Sequence, residues 1–188
     1  MPARLIYVVG PSGSGKDSLL RYAREKLADD PGVVFAHRYI TRAADAGGEN
    51  HVALTPAEFA SRQRNRLFAL AWHSHGHAYG IGIEISQWLA KGATVVVNGA
   101  REYRAEASQR VPELLAVSID VPAEVLRERL LARGREDAAS VEQRLERHRR
   151  MQSPSPSGHV ITNDGPLERA GEALVALLRE HAGQPLCA

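Results

Sequence analysis

Seven residues near the start of the chain, Gly10-Pro11-Ser12-Gly13-Ser14-Gly15-Lys16, constrain its fold more than any other segment. They follow an apolar run, Leu5-Ile6-Tyr7-Val8-Val9, and open into Asp17-Ser18-Leu19-Leu20-Arg21-Tyr22-Ala23. A buried strand, a glycine-rich turn and a helix start form the setting that a phosphate-binding loop requires. Successive backbone N–H groups in such a turn converge on phosphate oxygens, and the positive end of the helix dipole adds to them. Lys16 supplies mobile charge for the outer phosphates. A turn with no ligand has no need for strand, spacing, lysine and helix together. The segment therefore implies a bound nucleoside triphosphate.

One position departs from the usual loop. The residue after the lysine is normally Ser or Thr, whose hydroxyl ligates Mg²⁺; here it is Asp17, with Ser18 next. A carboxylate is a hard oxygen ligand and can hold Mg²⁺ directly or through water. Asp17 and Ser18 are the expected metal residues, against the plainer reading of Asp17 as an acid serving the helix dipole.

Composition sets the outer bounds. A chain of 188 residues, 44% hydrophobic and 24% charged, has the balance of one soluble domain with a proper core. A formal charge of +2 is too small to argue for nucleic acid as a partner. Of 24 basic residues only Lys16, Lys26 and Lys91 are lysines. Arginine grips phosphate in a planar fork, though base composition accounts for such an excess equally well. Cys187 is the single cysteine, so no internal disulfide forms. No apolar stretch approaches membrane-spanning length, and the first strand belongs to the core rather than to a signal peptide. The expectation is a soluble cytoplasmic protein without a membrane partner, with a homodimer left open.

Along the chain, apolar strands at 4–9, 33–36, 94–97, 114–119 and 159–164 alternate with helical stretches at 16–28, 84–91, 102–110, 123–133, 140–150 and 167–182. Thr55-Pro56 caps a helix reaching about residue 66, and short strands are expected at 68–72 and 77–81. Residues 37–50 read as a polar stretch. This alternation means a three-layer α/β fold around a parallel sheet, with ligands at the carboxyl ends of the strands, where Gly10 and Asn98 lie.

Several motifs in order resemble the nucleoside-monophosphate kinases of the guanylate-kinase type. They are the phosphate loop, Arg38-Tyr39-Ile40-Thr41-Arg42 followed by Gly48-Glu49, Tyr79-Gly80, Arg129-Leu130-Leu131-Ala132-Arg133-Gly134 with Arg144-Leu145, and Asn163-Asp164. The resemblance implies a P-loop kinase with a small acceptor-binding subdomain and a helical arginine lid. Within a single domain over 1–188, the core would be 1–36 and 90–188, the acceptor-binding insertion about 37–89 and the lid about 133–150. Asn163 would lie beside the adenine of ATP.

The departures cluster on the acceptor side. Where a guanylate kinase reads guanine with a carboxylate and a hydroxyl, the register gives Leu70 and Ile81; the strand-end acid is Asn98, and one acceptor arginine has become Asp45. Apolar side chains there would leave guanine's polar edge unpaired, at about 1–3 kcal/mol for each group. The register depends on an extra residue near Gly47-Gly48. This altered pattern is similar to another branch of the superfamily, the ribose 1,5-bisphosphate phosphokinases. The shared segments are Gly15-Lys16-Asp17-Ser18, the stretch from Gly47 to Leu54, Tyr79-Gly80-Ile81 and Val96-Val97-Asn98-Gly99. The resemblance implies transfer of the ATP γ-phosphoryl group to ribose 1,5-bisphosphate, with a place in phosphonate breakdown. Two alternatives stay open: a guanylate-type nucleotide kinase, and a non-catalytic domain that kept only the fold.

Expected roles follow. Residues Gly10 to Ser18 bind ATP, with Mg²⁺ alongside; Lys16, Arg133 and Arg144 neutralise charge on the transferring group. Arg38 and Arg42 clamp acceptor phosphate as planar forks. Glu49 and His51 meet ribose hydroxyls or orient those arginines. Tyr79, Asn98 and Arg101 complete the acceptor pocket, Arg101 toward a second phosphate. Arg127, Arg135, Arg147, Arg149 and Arg150 read as a solvated helix face. His73, His75 and His77 alternate on an extended segment but lack the ligands for a tetrahedral metal set. Trp72 and Trp88 pack in the core or the acceptor pocket.

Overall fold

A computed structural model describes residues 4–46, 49–132, 134, 138–150 and 158–183. Five parallel strands form the main sheet: β1 (Leu5–Val9), β2 (Val33–Phe35), β7 (Thr94–Asn98), β8 (Leu115–Asp120) and β9 (His159–Thr162). Their spatial order is β2-β7-β1-β8-β9. Every residue of β1 and β7 is buried, because a central parallel strand is covered on both faces and accepts an unbroken apolar run. One face packs against helices α1 (Lys16–Lys26) and α7 (Leu167–Glu180), sharing Leu19, Ala23, Leu174 and Leu178 with Ile6, Val8 and Val117. The fold is the three-layer α/β class expected.

A second sheet leans on the other face. It contains β3 (Arg38–Ile40), β4 (Val52–Ala53), β5 (Phe68–Ser74) and β6 (His77–Gly82), in the order β4-β3-β6-β5. Helix α2 (Pro56–Arg64) precedes its hairpin; Thr55 and Glu58 form a reciprocal capping box, with Thr55 Oγ1 accepting from the Glu58 N–H at 3.2 Å. Ile40, Leu70, Trp72, Tyr79 and Ile81 pack against Leu5, Tyr7, Val9 and Val97 in a continuous cluster. Helix α3 (Glu84–Ala90) covers that side and leads back to β7, with Trp88 partly buried on the cluster. After β7 come α4 (Arg104–Arg110), then, beyond β8, α5 (Ala123–Ala132) and α6 (Ala138–Arg150). Helices α5 and α6 share an apolar seam of Leu126, Leu130, Val141 and Leu145.

The polar stretch 37–50 differs from its sequence reading. It begins with β3 and includes a 3₁₀ turn, Ala44–Ala46, that carries an exposed Asp45. Strand β3 alternates as a strand should, but its inward positions are Arg38 and Ile40, so a buried arginine hides the pattern. No helix among the described residues is long and apolar enough to cross a membrane. Arg133, Gly47, Gly48, Ser153 to Ser157 and Cys187 lie outside the described residues.

Candidate active site

The phosphate loop is built from below. Gly15 sits in the left-handed region at φ +83°, and a Cβ there would approach Asn163 Nδ2 to 2.5 Å. Only glycine meets both conditions without strain. Asn163, 3% exposed, donates from Nδ2 to the Ser14 carbonyl at 2.6 Å, and Arg129 Nη1 reaches the same oxygen at 3.4 Å. With that carbonyl tied down, the loop is free to present its N–H groups outward. Asn163, expected beside adenine, packs against the loop with its Nδ2 on Ser14 and its Oδ1 buried without a partner among the described residues.

At the loop's exit Lys16 and Asp17 enter a polar network spanning the two sheets. Lys16 Nζ lies 3.3 Å from Asp17 Oδ1 and donates to Asn98 Oδ1 in a very short bond. Asn98 Nδ2 then donates to Asp17 Oδ1 at 3.0 Å and to Glu49 Oε2 at 3.3 Å. Glu49 in turn accepts from Arg38 Nε at 2.8 Å, forms a second contact with Arg38 Nη2, and lies 3.8 Å from Arg42 Nη2. One amide therefore joins the triphosphate cradle to the arginine pair. Burial pulls the Lys16 ammonium below its ordinary pKa, helped by Arg38, and the attraction of Asp17 and Glu49 does not restore it. Burial would raise the Asp17 carboxyl, but Lys16, Arg38 and the Asn98 bond hold it below the usual range.

The arginine pair has its own supports. The Arg38 guanidinium lies 5.0 Å from the centre of the Tyr79 ring, which stacks on Trp72 at 5.5 Å and 5°. His51, 8% exposed, bridges the loop, its Nδ1 3.2 Å from the Glu49 carbonyl and its Nε2 3.1 Å from that of Arg42. His51 thus ties the backbone of Arg42 to that of Glu49, with both ring nitrogens engaged.

A cavity of about 250 Å³ lies between the phosphate loop and Arg38. The loop from Gly10 to Ser18 forms one wall, apart from the buried Ser14; Arg38, Tyr79 and Trp72 form the opposite one. Arg101 enters from the end of β7, where burial lowers its pKa and no ion pair holds it among the described residues. The Tyr7 phenol, pushed up to about 12 by burial, accepts the Ala100 N–H at 3.0 Å and so pins the turn that carries Arg101. From α6, Arg144 donates to Ser12 Oγ at 2.7 Å, and Arg147 meets Glu102 at 2.5 Å.

No family model matches the chain. It is 58% identical over 94% of its length to a ribose 1,5-bisphosphate phosphokinase of Thiobacillus denitrificans, covering 93% of that protein. It is likewise 58% identical, over 95% of each chain, to one of Desulfomicrobium baculatum. The chain belongs to the ribose 1,5-bisphosphate phosphokinase family. Its backbone is similar to the crystal structure of a guanylate kinase from Anaplasma phagocytophilum, with a TM-score of 0.68 and 18% identity over 96% of this chain and 87% of that one. That likeness concerns the fold.

Placement on this phosphokinase corrects two details. Leu70 and Ile81 pair with each other across β5 and β6, are fully buried, and take no part in the cavity wall. The wall position beside them belongs to Arg38, the β3 partner of Ile81. Arg147, read as part of a solvated face, lines the cavity; it stands one turn beyond Arg144 on the same helix face, the spacing that would have revealed it. Sequence reasoning also missed Glu102, His75 and the structural use of Arg129. His75 lines the cavity from a hairpin tip at φ +49°, next to Gly76 at +76°, the pair of left-handed residues a tight hairpin requires. His77, by contrast, faces the Thr41 carbonyl at 2.9 Å.

Proposed function

We propose that this chain transfers the γ-phosphoryl group of ATP to the 1-phosphate of ribose 1,5-bisphosphate, giving 5-phosphoribosyl 1-diphosphate and ADP. The observation that carries the reading is a cavity shared by a P-loop with its lysine and by Arg38, which Glu49 ties to Arg42 just outside that wall. The named activity of relatives identical at more than half their positions supplies the substrate.

The reaction needs alignment and charge compensation rather than a base. The attacking group is a phosphate oxygen, ionised at neutral pH, so no proton has to leave it. A bond forms from that oxygen to the γ-phosphorus while the bond from γ-phosphorus to the β-bridging oxygen breaks, and ADP departs with the electron pair. The loop amides and Lys16 hold the triphosphate; Arg38 and Arg42 hold the acceptor phosphate opposite. Arg144 and Arg147, at the cavity mouth, offset charge on the migrating group and exclude water. Lys16 leaves Asn98 to do so, and Asn98 keeps Asp17 and Glu49 as partners. Asp17 and Ser18 supply hard oxygen donors beside the loop, the chemistry Mg²⁺ requires. The metal would screen the phosphate charge when bound.

The test is turnover of ribose 1,5-bisphosphate with Mg·ATP, followed by the diphosphate signal in ³¹P NMR, with GMP as the competing acceptor. Formation of the diphosphate supports the reading, and faster phosphorylation of GMP overturns it. Leu70 and Ile81, where the guanylate resemblance would place the base readers, are apolar and lie in the core, so neither position reads a base.

A further inference from the structure

A second cavity, about 280 Å³, lies behind the first. Asp17 lines both cavities; Lys16 and Arg38 line only the first, and Asn98 and Glu49 only the second. Since Lys16 is bonded to Asn98 and Arg38 to Glu49, the partition between them is one pair of side chains thick. The far wall of the second cavity carries Arg21 and Arg24, neighbouring turns of α1, above a floor of Leu20, Phe35 and Val96. Arg24 is held over the Phe35 ring at 5.5 Å. Neither arginine has an ion pair among the described residues, whereas Arg38, Arg42 and Arg147 do.

This arrangement has the chemistry of a sugar-phosphate pocket. The apolar floor suits the C–H face of a furanose. The Asp17 and Glu49 carboxylates offer acceptors for ribose hydroxyls, and Asn98 Oδ1 adds a third once Lys16 leaves it. Two guanidiniums at the far end offer forks for a terminal phosphate. Nothing in the first cavity's transfer step uses Arg21 or Arg24.

Resting on the proposed activity, we infer that the acceptor spans the partition: its 1-phosphate faces the P-loop between Arg38 and Arg42, its ribose lies in the second cavity, and its 5-phosphate is bound by Arg21 and Arg24. These two arginines would then set the requirement for a doubly phosphorylated sugar. Arg101 stays with the transferring phosphates.

The test compares two acceptors in wild type, Arg21→Ala, Arg24→Ala and Arg24→Lys. Ribose 1-phosphate lacks the group the arginines hold; it is assayed as a substrate or, if turnover is too slow, as a competitive inhibitor. With ribose 1,5-bisphosphate each alanine variant should lose about ten- to a hundredfold in kcat/KM, chiefly through KM, as expected for a charged hydrogen bond. Arg24→Lys should recover part of the loss, and KM for ATP should stay put. With ribose 1-phosphate the variants should match wild type, removing the preference for the bisphosphate. Equal losses on both acceptors, or no loss on either, overturn the assignment while wild-type turnover leaves the proposed activity standing. Absence of wild-type turnover defeats both. Thermal unfolding of each variant checks that the fold is intact.

Discussion

The two halves of the site are held in different ways. On the P-loop side, position comes from backbone: glycine conformation, the Ser14 carbonyl fixed by Asn163, and α1 beginning at Lys16. On the acceptor side, position comes from charge: Arg38 of β3, Asn98 of β7, Arg42 and Glu49 hold one another between separate segments. A scaffold of the first kind stays formed without substrate. One of the second kind competes with its own ligand, since the arginines that would grip phosphate already grip Glu49.

The largest break in this comparison is Lys16→Met. Activity should fall by roughly a thousandfold, the scale for losing a charged group aimed at the transition state. Stability should move the other way. The folded state disfavours the buried ammonium, so its cost is present below the lowered folded pKa and fades as pH rises toward the ordinary lysine value of 10.5. Removing it should raise the midpoint of urea unfolding, worth up to about 1 kcal/mol. Asp17 keeps Asn98 and the field of Arg38. A midpoint below wild type would refute the reading of Lys16 as a costly, functional charge.

Next in size is Gly15→Ala, which attacks the backbone-built side. Left-handed strain and the encounter with Asn163 Nδ2 should together cost about 2 kcal/mol and weaken ATP binding. Adding Asn163→Ala should relieve part of that cost, a coupling that a double-mutant cycle would measure. Strict additivity would mean that Asn163 does not set the loop.

Glu49→Gln attacks the charge-built side. It should cost about 2 kcal/mol, since Arg38 at 9% exposed loses its carboxylate. Inorganic phosphate should return more stability to this variant than to wild type, because Arg38 and Arg42 no longer share a carboxylate that competes with it. Equal phosphate stabilisation of the two proteins would show that Glu49 and the acceptor do not share those arginines.

This contrast also governs what the sequence could reveal. The P-loop, the alternating apolar strands and the Thr55-Pro56 cap are local patterns, so they were legible with boundaries within a few residues. The β3 strand was not, because Arg38 occupies an inward position and is neutralised by Glu49, eleven residues on. Leu70 and Ile81 were recognised as unable to read guanine. That they lie in the core, with Arg38 at the wall, depends on strand register across three strands. Ion pairs formed between distant segments leave no periodicity to read.

The smallest predicted effect lies outside both halves and serves as their control. His181 follows α7 at the opposite end of the sheet from the P-loop, beside Thr94, and its ring nitrogens are buried with no hydrogen bond among the described residues. Burial, with Arg4 and His159 nearby, pulls its pKa below the ordinary 6.5 despite the opposing pull of Glu180. As pH falls below that value, the unfolded chain takes up the proton first, so stability declines until the folded imidazole is protonated as well. Stability lost to this group is therefore confined to the acidic side of pH 6.5 and absent at pH 8. Urea unfolding of wild type and His181→Phe at both ends of that window should show a gentler acid decline in the variant, with kcat/KM at pH 8 unchanged. An altered kcat/KM would mean that the far end of the sheet reaches the site, and that its two halves are not the independent units their contacts describe.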